Sequence, residues 1–331
     1  MVRRGRLAPS PTGRLHLGNL SSCLLAWVQA RQVGGHLWLR IEDTDRARSL
    51  SDSVVTLCED LRWVGIDWDE GPRDPQRPDR HFQSQRTELY EDALRHLSER
   101  GLLFACTCSR RDVEEALSAP HAPYPATLRY PGTCRDTVLN GLERLPPGVA
   151  LRLRCEGIVT CVDGCLGVLR ADLAADPGDI VLRRRDGLFA YNLAVVVDDL
   201  HGEVSDIVRG ADLFHVTPVQ HHLARCLGGA PPATLHVPLL HDAQGTRLAK
   251  RHASAGRPAL TEQGWTPELL RGALLWLWGI RDRCESASLD DLLAETAIDR
   301  LPRDAIRVPD ALWQGPHVLA RVAAGHADRA R

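Results

Sequence analysis

The sequence predicts an α/β fold: an open, largely parallel sheet flanked by helices, with a cysteine-bearing insertion and a short helical part at the end. Three observations carry this. Strand-like and helix-like segments alternate before residue 103, the pattern of an open α/β sheet. From Leu103 to about Leu182 the texture changes, with clustered cysteines, more prolines and only short strands. Beyond 262 the chain looks helical again.

Taken in order, a strand-like start runs into a turn-rich stretch at 8–19, and Leu20 to Val33 reads as an apolar helix. Leu37-Trp38-Leu39-Arg40-Ile41 reads as a short strand. A helix over 51–64 precedes a loop rich in Pro, Asp and Arg at 67–80, and another helix spans 84–100. Within the insertion, Ala150–Arg154 is a short strand. Phe189–Val197, strongly apolar, reads as a strand, 218–227 as a helix, and Leu235–Leu240 as a strand. Thr266-Pro267-Glu268 is a capped helix start with Pro in the first turn, followed by Leu269–Leu277. The last thirty residues show no clear periodicity, and a partly mobile tail is expected. The expected division is 1–102 and 183–255 as two halves of one catalytic domain, 103–182 as an inserted subdomain, and 256–331 as a short helical region with tail.

At 331 residues the chain suits about two domains with a real core. Net charge is −2, so no global field draws the protein to polyanions, and nucleic-acid binding would need a local arginine-lined surface. No secretory h-region and no apolar run of membrane-spanning length is visible, so a cytoplasmic protein without membrane association is expected. Its ten cysteines are then thiols or metal ligands rather than disulfides. Of the 41 Lys and Arg residues one is lysine, Lys250, in Gly245-Thr246-Arg247-Leu248-Ala249-Lys250-Arg251-His252. Lysine is a compact point charge and arginine a planar fork, so a site needing one ammonium at one phosphate oxygen distinguishes them.

Two further patterns carry chemistry. In Arg6-Leu7-Ala8-Pro9-Ser10-Pro11-Thr12-Gly13-Arg14-Leu15-His16-Leu17-Gly18-Asn19 a Pro/Gly turn leads into a helix. Unpaired N–H groups at a helix N-terminus favour an anion, Gly18 permits close approach of a nucleotide, and His16 can donate to a phosphate. Cys106-Thr107-Cys108 with Cys134, in Tyr130-Pro131-Gly132-Thr133-Cys134, has the spacing of a zinc site, although zinc prefers four ligands. Three buried free thiols are the other reading, and His121 is one candidate for the fourth ligand. Cys155, Cys161 and Cys165 have no partner histidine nearby in sequence and read as core thiols, as do Cys23, Cys58, Cys226 and Cys284. Arg183-Arg184-Arg185 is a solvated face that also suits an RNA backbone.

The first run resembles the signature of class I glutamyl-type aminoacyl-tRNA synthetases, with His16-Leu17-Gly18-Asn19 as the HIGH motif and Asn19 in place of its last histidine. Arg247-Leu248-Ala249-Lys250-Arg251 resembles the KMSKS-type motif, with Arg247 where that family has Lys and Ala249 where it has Ser. Asp198-Asp199, Val208-Arg209-Gly210-Ala211-Asp212-Leu213, Thr217-Pro218 and His236-Val237-Pro238-Leu239 resemble the second half of the same domain, so the resemblance runs from about residue 6 to 255. It implies a Rossmann-like parallel sheet and activation of L-glutamate by ATP with Mg²⁺. By resemblance His16 and Lys250 are catalytic, and His16, Gly18, Asn19, Arg247 and Lys250 bind ATP. Arg6, Ser10, Glu42, Tyr191 and Arg209 bind glutamate. Cys106, Cys108, Tyr130 and Cys134 hold one structural Zn²⁺. Only 80 residues follow Arg251, too few for an anticodon-binding domain. That favours the short paralogue of the family, which attaches glutamate to the queuosine base in the anticodon of tRNA(Asp). A truncated enzyme charging tRNA(Glu) and an inactive synthetase-like RNA-binding module are the alternatives.

Overall fold

The structure, a computed structural model, describes residues 2–44, 51–72, 78–109, 111–113, 129–137, 139, 141–248 and 256–327. Lys250, Ala249, Arg251 and His121 lie outside the described residues. The chain opens with β1 (Arg4–Leu7), α1 (Leu17–Gln32) and β2 (His36–Leu39). β1 and β2 pair in parallel, joined through α1. α1 is buried along most of its length, with Leu17, Leu20, Leu24, Leu25 and Val28 fully enclosed. Its sequence therefore carries little amphipathic signal. α2 (Ser51–Trp63) and α3 (Thr87–Glu99) follow.

The insertion contributes β3 (Leu103–Cys106), β4 (Ala150–Leu153), the hairpin β5 (Ile158–Asp163) and β6 (Gly167–Asp172), and β7 (Ile180–Arg183). β3, β4 and β7 form an antiparallel three-stranded sheet. The second half then adds α4 (Tyr191–His201), β8 (Asp206–Gly210), α5 (Thr217–Cys226), and β9 (Ala233–Val237). β8 and β9 are parallel, and the β5–β6 hairpin joins them in the order β6-β5-β9-β8. The Ser205 N–H donates to the Arg4 carbonyl at 2.9 Å, so β8 runs alongside β1 and the two halves meet there.

The expected strand Phe189–Val197 is instead the helix α4. Its residues Leu193 to Asp199 are all buried, so neither face is marked by polarity, and a short apolar run cannot report its period. The expected strand over 235–240 is interrupted: β9 ends at Val237, Pro238 lacks the ladder N–H, and β10 (Leu240–His241) resumes beyond it. Past the lysine loop come α6 (Arg257–Glu262), α7 (Pro267–Leu277), α8 (Leu289–Glu295), β11 (Ile306–Arg307) and α9 (Pro316–Ala327). The Thr266 cap is as expected, its hydroxyl accepting from the Leu269 N–H. α9 lies within the expected tail, with Leu319 and Ala323 fully buried one turn apart. A single such pair is too short a stripe to show as periodicity. β11 pairs with β10, and the C-terminal helices share the core of the first half. Among the described residues no helix is long and apolar enough to cross a membrane.

Candidate active site

Two adjacent buried carboxylates organise the floor of the site. Asp198 and Asp199, on α4, are almost wholly enclosed. Buried charges are tolerable only when paired and hydrogen-bonded. Asp198 receives Arg86 Nε at 2.6 Å, Gln83 Nε2 at 2.7 Å and the Tyr90 hydroxyl. Asp199 receives Arg40 NH1 at 2.6 Å and lies 3.8 Å from Arg6 Nε. Arg40 NH2 reaches on to Glu42 at 3.2 Å. Burial opposes the charge on Arg40, but Asp199, Asp198 and Glu42 outweigh it and raise its pKa. Burial also lifts the Glu42 carboxyl above its ordinary range, against the opposing pull of Arg40 and Arg6.

Above this floor lies a cavity of about 560 Å³ between the first-half loop and the second-half strands. Its lining includes Arg6, Ser10, Glu42, Tyr191 and Arg209 together with His16, Gly18, Asn19 and Arg247. Every site residue expected from the two motifs that falls among the described residues is therefore at one cavity. The cysteine site is separate.

His16 is the N-cap of α1. Its Nδ1 accepts from the N–H groups of Gly18 at 3.1 Å and Asn19 at 3.3 Å. Two of the N–H groups expected to face an anion are thus engaged by the histidine itself. With Nδ1 accepting, the neutral ring carries its proton on Nε2. Gly18 also has a use within the fold. A Cβ there would stand 3.0 Å from the His16 ring, so the glycine makes room for the cap. Asn19 Oδ1 is buried without a hydrogen-bond partner. The loop is pinned by Asp60 of α2, which receives Arg14 NH1 at 3.0 Å and the Leu15 N–H at 3.3 Å. Asp60 also pairs with Arg257 at 2.9 Å, and His16 bridges Gly256, so the far side of the lysine loop is tied to the same carboxylate. On the near side Arg247 pairs with Asp212 at 2.7 Å, while Leu248 is buried.

Arg209 is the electrostatic centre of the other wall. Its guanidinium donates to His236 Nε2 at 2.9 Å, Gln220 Oε1 at 2.7 Å and the Thr217 hydroxyl at 2.9 Å. All three partners are neutral acceptors. Among the described residues no carboxylate pairs directly with Arg209, although it is 6% exposed. Arg40 next door has three. Burial accordingly lowers the Arg209 pKa. A buried cation satisfied in hydrogen bonds but not in charge favours an anionic ligand.

The cysteines meet as the spacing predicts. Cys106, Cys108 and Cys134 bring their sulfurs within 4.8 Å of one another. The Tyr130 hydroxyl is 3.5 Å from Cys106 Sγ and 3.9 Å from Cys108 Sγ, and it accepts the Cys134 N–H at 2.7 Å. Burial opposes ionisation of the Cys134 thiol, but hydrogen bonds from Tyr130, Thr107 and Cys108 bring it down to about 6. Cys155, Cys161 and Cys165 are buried, as expected of core thiols, yet Cys161 does have a histidine partner: His221 Nδ1 lies 3.3 Å away, brought from α5. Sequence distance hid that contact. Within the arginine run, Arg184 pairs with Asp186 and Arg185 donates to the Gly148 carbonyl, both exposed.

Asp163, Gln220 and Asn192 belong to the site's support but to no recognised motif. Gln220 donates on to Asn192 at 2.9 Å, and Asp163 accepts from His236 Nδ1 at 2.6 Å. His236 and Thr217 lie in segments resembling the second half of the domain, without a role suggested by sequence.

Fold and cavity together define a class I aminoacyl-tRNA synthetase catalytic domain: residues 2–300 match the family described as tRNA synthetases class I (E and Q), catalytic domain. The fold is also that of the glutamate-tRNA synthetase from Elizabethkingia anophelis, with a TM-score of 0.77 at 23% identity over 95% of this chain and 69% of that one. A glutamyl-Q tRNA(Asp) synthetase from Symbiobacterium thermophilum is 41% identical over 92% of this chain and 95% of its own length. One from Nitratidesulfovibrio vulgaris is 44% identical over 84% of this chain and 86% of its own. The chain belongs to the glutamyl-Q tRNA(Asp) synthetase family.

Proposed function

We propose that this protein activates L-glutamate with ATP to glutamyl-adenylate and transfers the glutamate to the queuosine base in the anticodon of tRNA(Asp). The observation that carries the amino-acid half of this reading is Arg209, a buried guanidinium held by neutral acceptors beside Glu42 and Tyr191. In this reading Arg209 takes a substrate carboxylate, Glu42 takes the α-ammonium, and Arg6, Ser10 and Tyr191 complete the pocket. The substrate ammonium would also return the raised Glu42 carboxyl to its ionised form, since an adjacent cation favours the charge.

The nucleotide lies toward His16, Gly18, Asn19 and Arg247. The glutamate α-carboxylate attacks the α-phosphorus of ATP, a mixed anhydride forms and pyrophosphate leaves; Mg²⁺ accompanying ATP would add positive charge at the phosphates. His16 Nε2–H and Lys250 supply positive character to the phosphoryl oxygens as charge builds there, and such donors typically contribute about 2.7–4 kcal/mol. Arg247 adds charge from the flank. The unpartnered Asn19 Oδ1 fits a hydroxyl or amino donor of the nucleotide. Acylation of the tRNA base then releases AMP. The domain division expected from the sequence suits this reaction, and a tRNA substrate suits a cytoplasmic protein.

The cysteine cluster fits one structural Zn²⁺. Three sulfurs converge, and the Tyr130 oxygen is the nearest further donor among the described residues. Its burial with an already hydrogen-bonded hydroxyl suits a fixed fourth ligand better than a mobile side chain. Zinc would replace the weak thiol contacts with bonds that fold energy depends on.

Glutamate-dependent exchange of pyrophosphate into ATP tests activation. Transfer of labelled glutamate to tRNA(Asp) bearing queuosine, and not to queuosine-free tRNA(Asp) or the 3′ end of tRNA(Glu), tests the acceptor. Labelling of tRNA(Glu) would instead establish a charging enzyme, and absence of exchange would leave an inactive module.

A further inference from the structure

We infer that Asp163 and His236 form a buried relay that fixes the histidine tautomer and thereby orients Arg209. Both act as positioning residues for the amino-acid pocket. This rests on the reading of Arg209 as the carboxylate-binding cation.

The geometry is directional. Asp163 ends β5 and pairs with Thr234 of β9 in the parallel ladder. Its carboxylate accepts the backbone N–H groups of Cys165 at 3.0 Å, Leu166 at 2.9 Å and His236 at 3.1 Å. On the remaining oxygen it accepts from His236 Nδ1 at 2.6 Å. Both side chains are fully enclosed. Burial alone would lift the Asp163 pKa, but these four hydrogen bonds, led by that from His236, hold it well below the ordinary carboxylate range. The carboxylate is thus an acceptor only, and the ring proton must sit on Nδ1.

Nε2 is then left as a lone pair, and Arg209 Nε–H points at it from 2.9 Å. The opposite tautomer would set a donor against a donor. Protonation would add a second positive charge beside the guanidinium. The groups facing the ring from the other elements are the Thr217 hydroxyl, 3.2 Å from Nε2, and the Phe214 ring, edge-on at 5.2 Å. Neither supplies a counter-charge. Arg209 can donate from Nε, NH1 and NH2, and fixing Nε on His236 and the two terminal nitrogens on Gln220 and Thr217 leaves one orientation of the fork. Bidentate recognition of a carboxylate depends on that orientation.

Asp163→Asn is the discriminating variant. The amide oxygen keeps the backbone N–H partners, while its NH₂ donates to His236 Nδ1 and moves the ring proton to Nε2. The expected result is a rise of about tenfold or more in KM for glutamate in pyrophosphate exchange, with KM for ATP unchanged within about twofold, in line with loss of one hydrogen bond to a charged group. His236→Gln places an amide oxygen near the Nε2 position and has no tautomer to lose. Whatever KM this variant has, Asp163→Asn added to it should change that KM little. Equal effects of Asp163→Asn in both backgrounds, or a glutamate KM left within about twofold in the single variant, would overturn the relay. Should His236→Gln fail to fold, ¹⁵N NMR of ring-labelled wild type and Asp163→Asn decides. The proton must reside on Nδ1 in the first and Nε2 in the second, and an unchanged tautomer sinks the idea. A wild-type protein without glutamate-dependent exchange counts against the proposed function alone, because the NMR still reads the relay.

Discussion

His16 shows why one residue resists simple substitution. Its Nδ1 caps α1, and its ring lines the cavity with the proton on Nε2. Asparagine is a good N-cap but offers no donor at the Nε2 position. His16→Asn should therefore keep the melting temperature close to wild type and slow adenylate formation by about 10²–10³-fold. His16→Ala should lose both, with about 1 kcal/mol of stability gone, measurable by denaturant titration. Gly18→Ala puts a Cβ against the same ring, and a slower exchange rate with unchanged ATP affinity is expected. Lys250 and Arg247 divide two kinds of charge. Arg247 is half exposed and paired with Asp212, a role arginine fills as well as lysine. Lys250→Arg should lower the activation rate at least about tenfold with little loss of stability, because the planar fork cannot replace a compact ammonium. Wild-type turnover in that variant would show that charge alone suffices.

The cysteine cluster sits on a small core of its own, Phe104, Cys106, Val113, Tyr130 and Ala150, while Leu151, Leu153, Leu173 and Leu182 of the insertion join the core of the second half. Metal analysis of the purified protein should find one zinc per chain. Cys106→Ser should abolish it, and Tyr130→Phe should weaken retention against a chelator. A zinc content unaffected by Tyr130→Phe would remove the tyrosine from the ligand set. The same insertion reaches the active site through β5, whose last residue is Asp163. Its spacing let the cysteine triad be read from sequence, since ligands close in sequence meet at nearly any fold. The Asp163–His236 contact spans 73 residues and leaves no local trace.

For the whole molecule, burial sets the response to acid. His201, His221, His222 and His236 all have pKa values lowered first by burial, that of His221 to about 4. Unfolding returns each toward the ordinary value near 6.5, so the unfolded chain binds more protons between those limits. Stability should be complete above about pH 6.5 and fall as pH drops toward about 4. Glu42 and Asp60, raised by burial, act in the opposite sense, but two groups oppose four. Thermal melts from pH 7.5 down to 4.5 should show a continuous decline, and a flat profile would contradict it.

Composition and spacing pointed to the α/β class and the cysteine triad, and the resemblance of short segments to class I synthetases supplied the two nucleotide motifs and the five expected pocket residues, which line one cavity. These are legible because each is local: a helix start, a turn or a pair of ligands imposes its pattern within a few residues. The tertiary structure decided the rest. It turned Phe189–Val197 into a helix, because a segment buried on every side has no polar face to mark its period. Among the described residues it left Arg209 without a directly paired carboxylate and gave Arg40 three, because charge compensation depends on which distant strands are neighbours. It also joined Asp163 to His236, because a buried acceptor must find its donor across the sheet rather than along the chain.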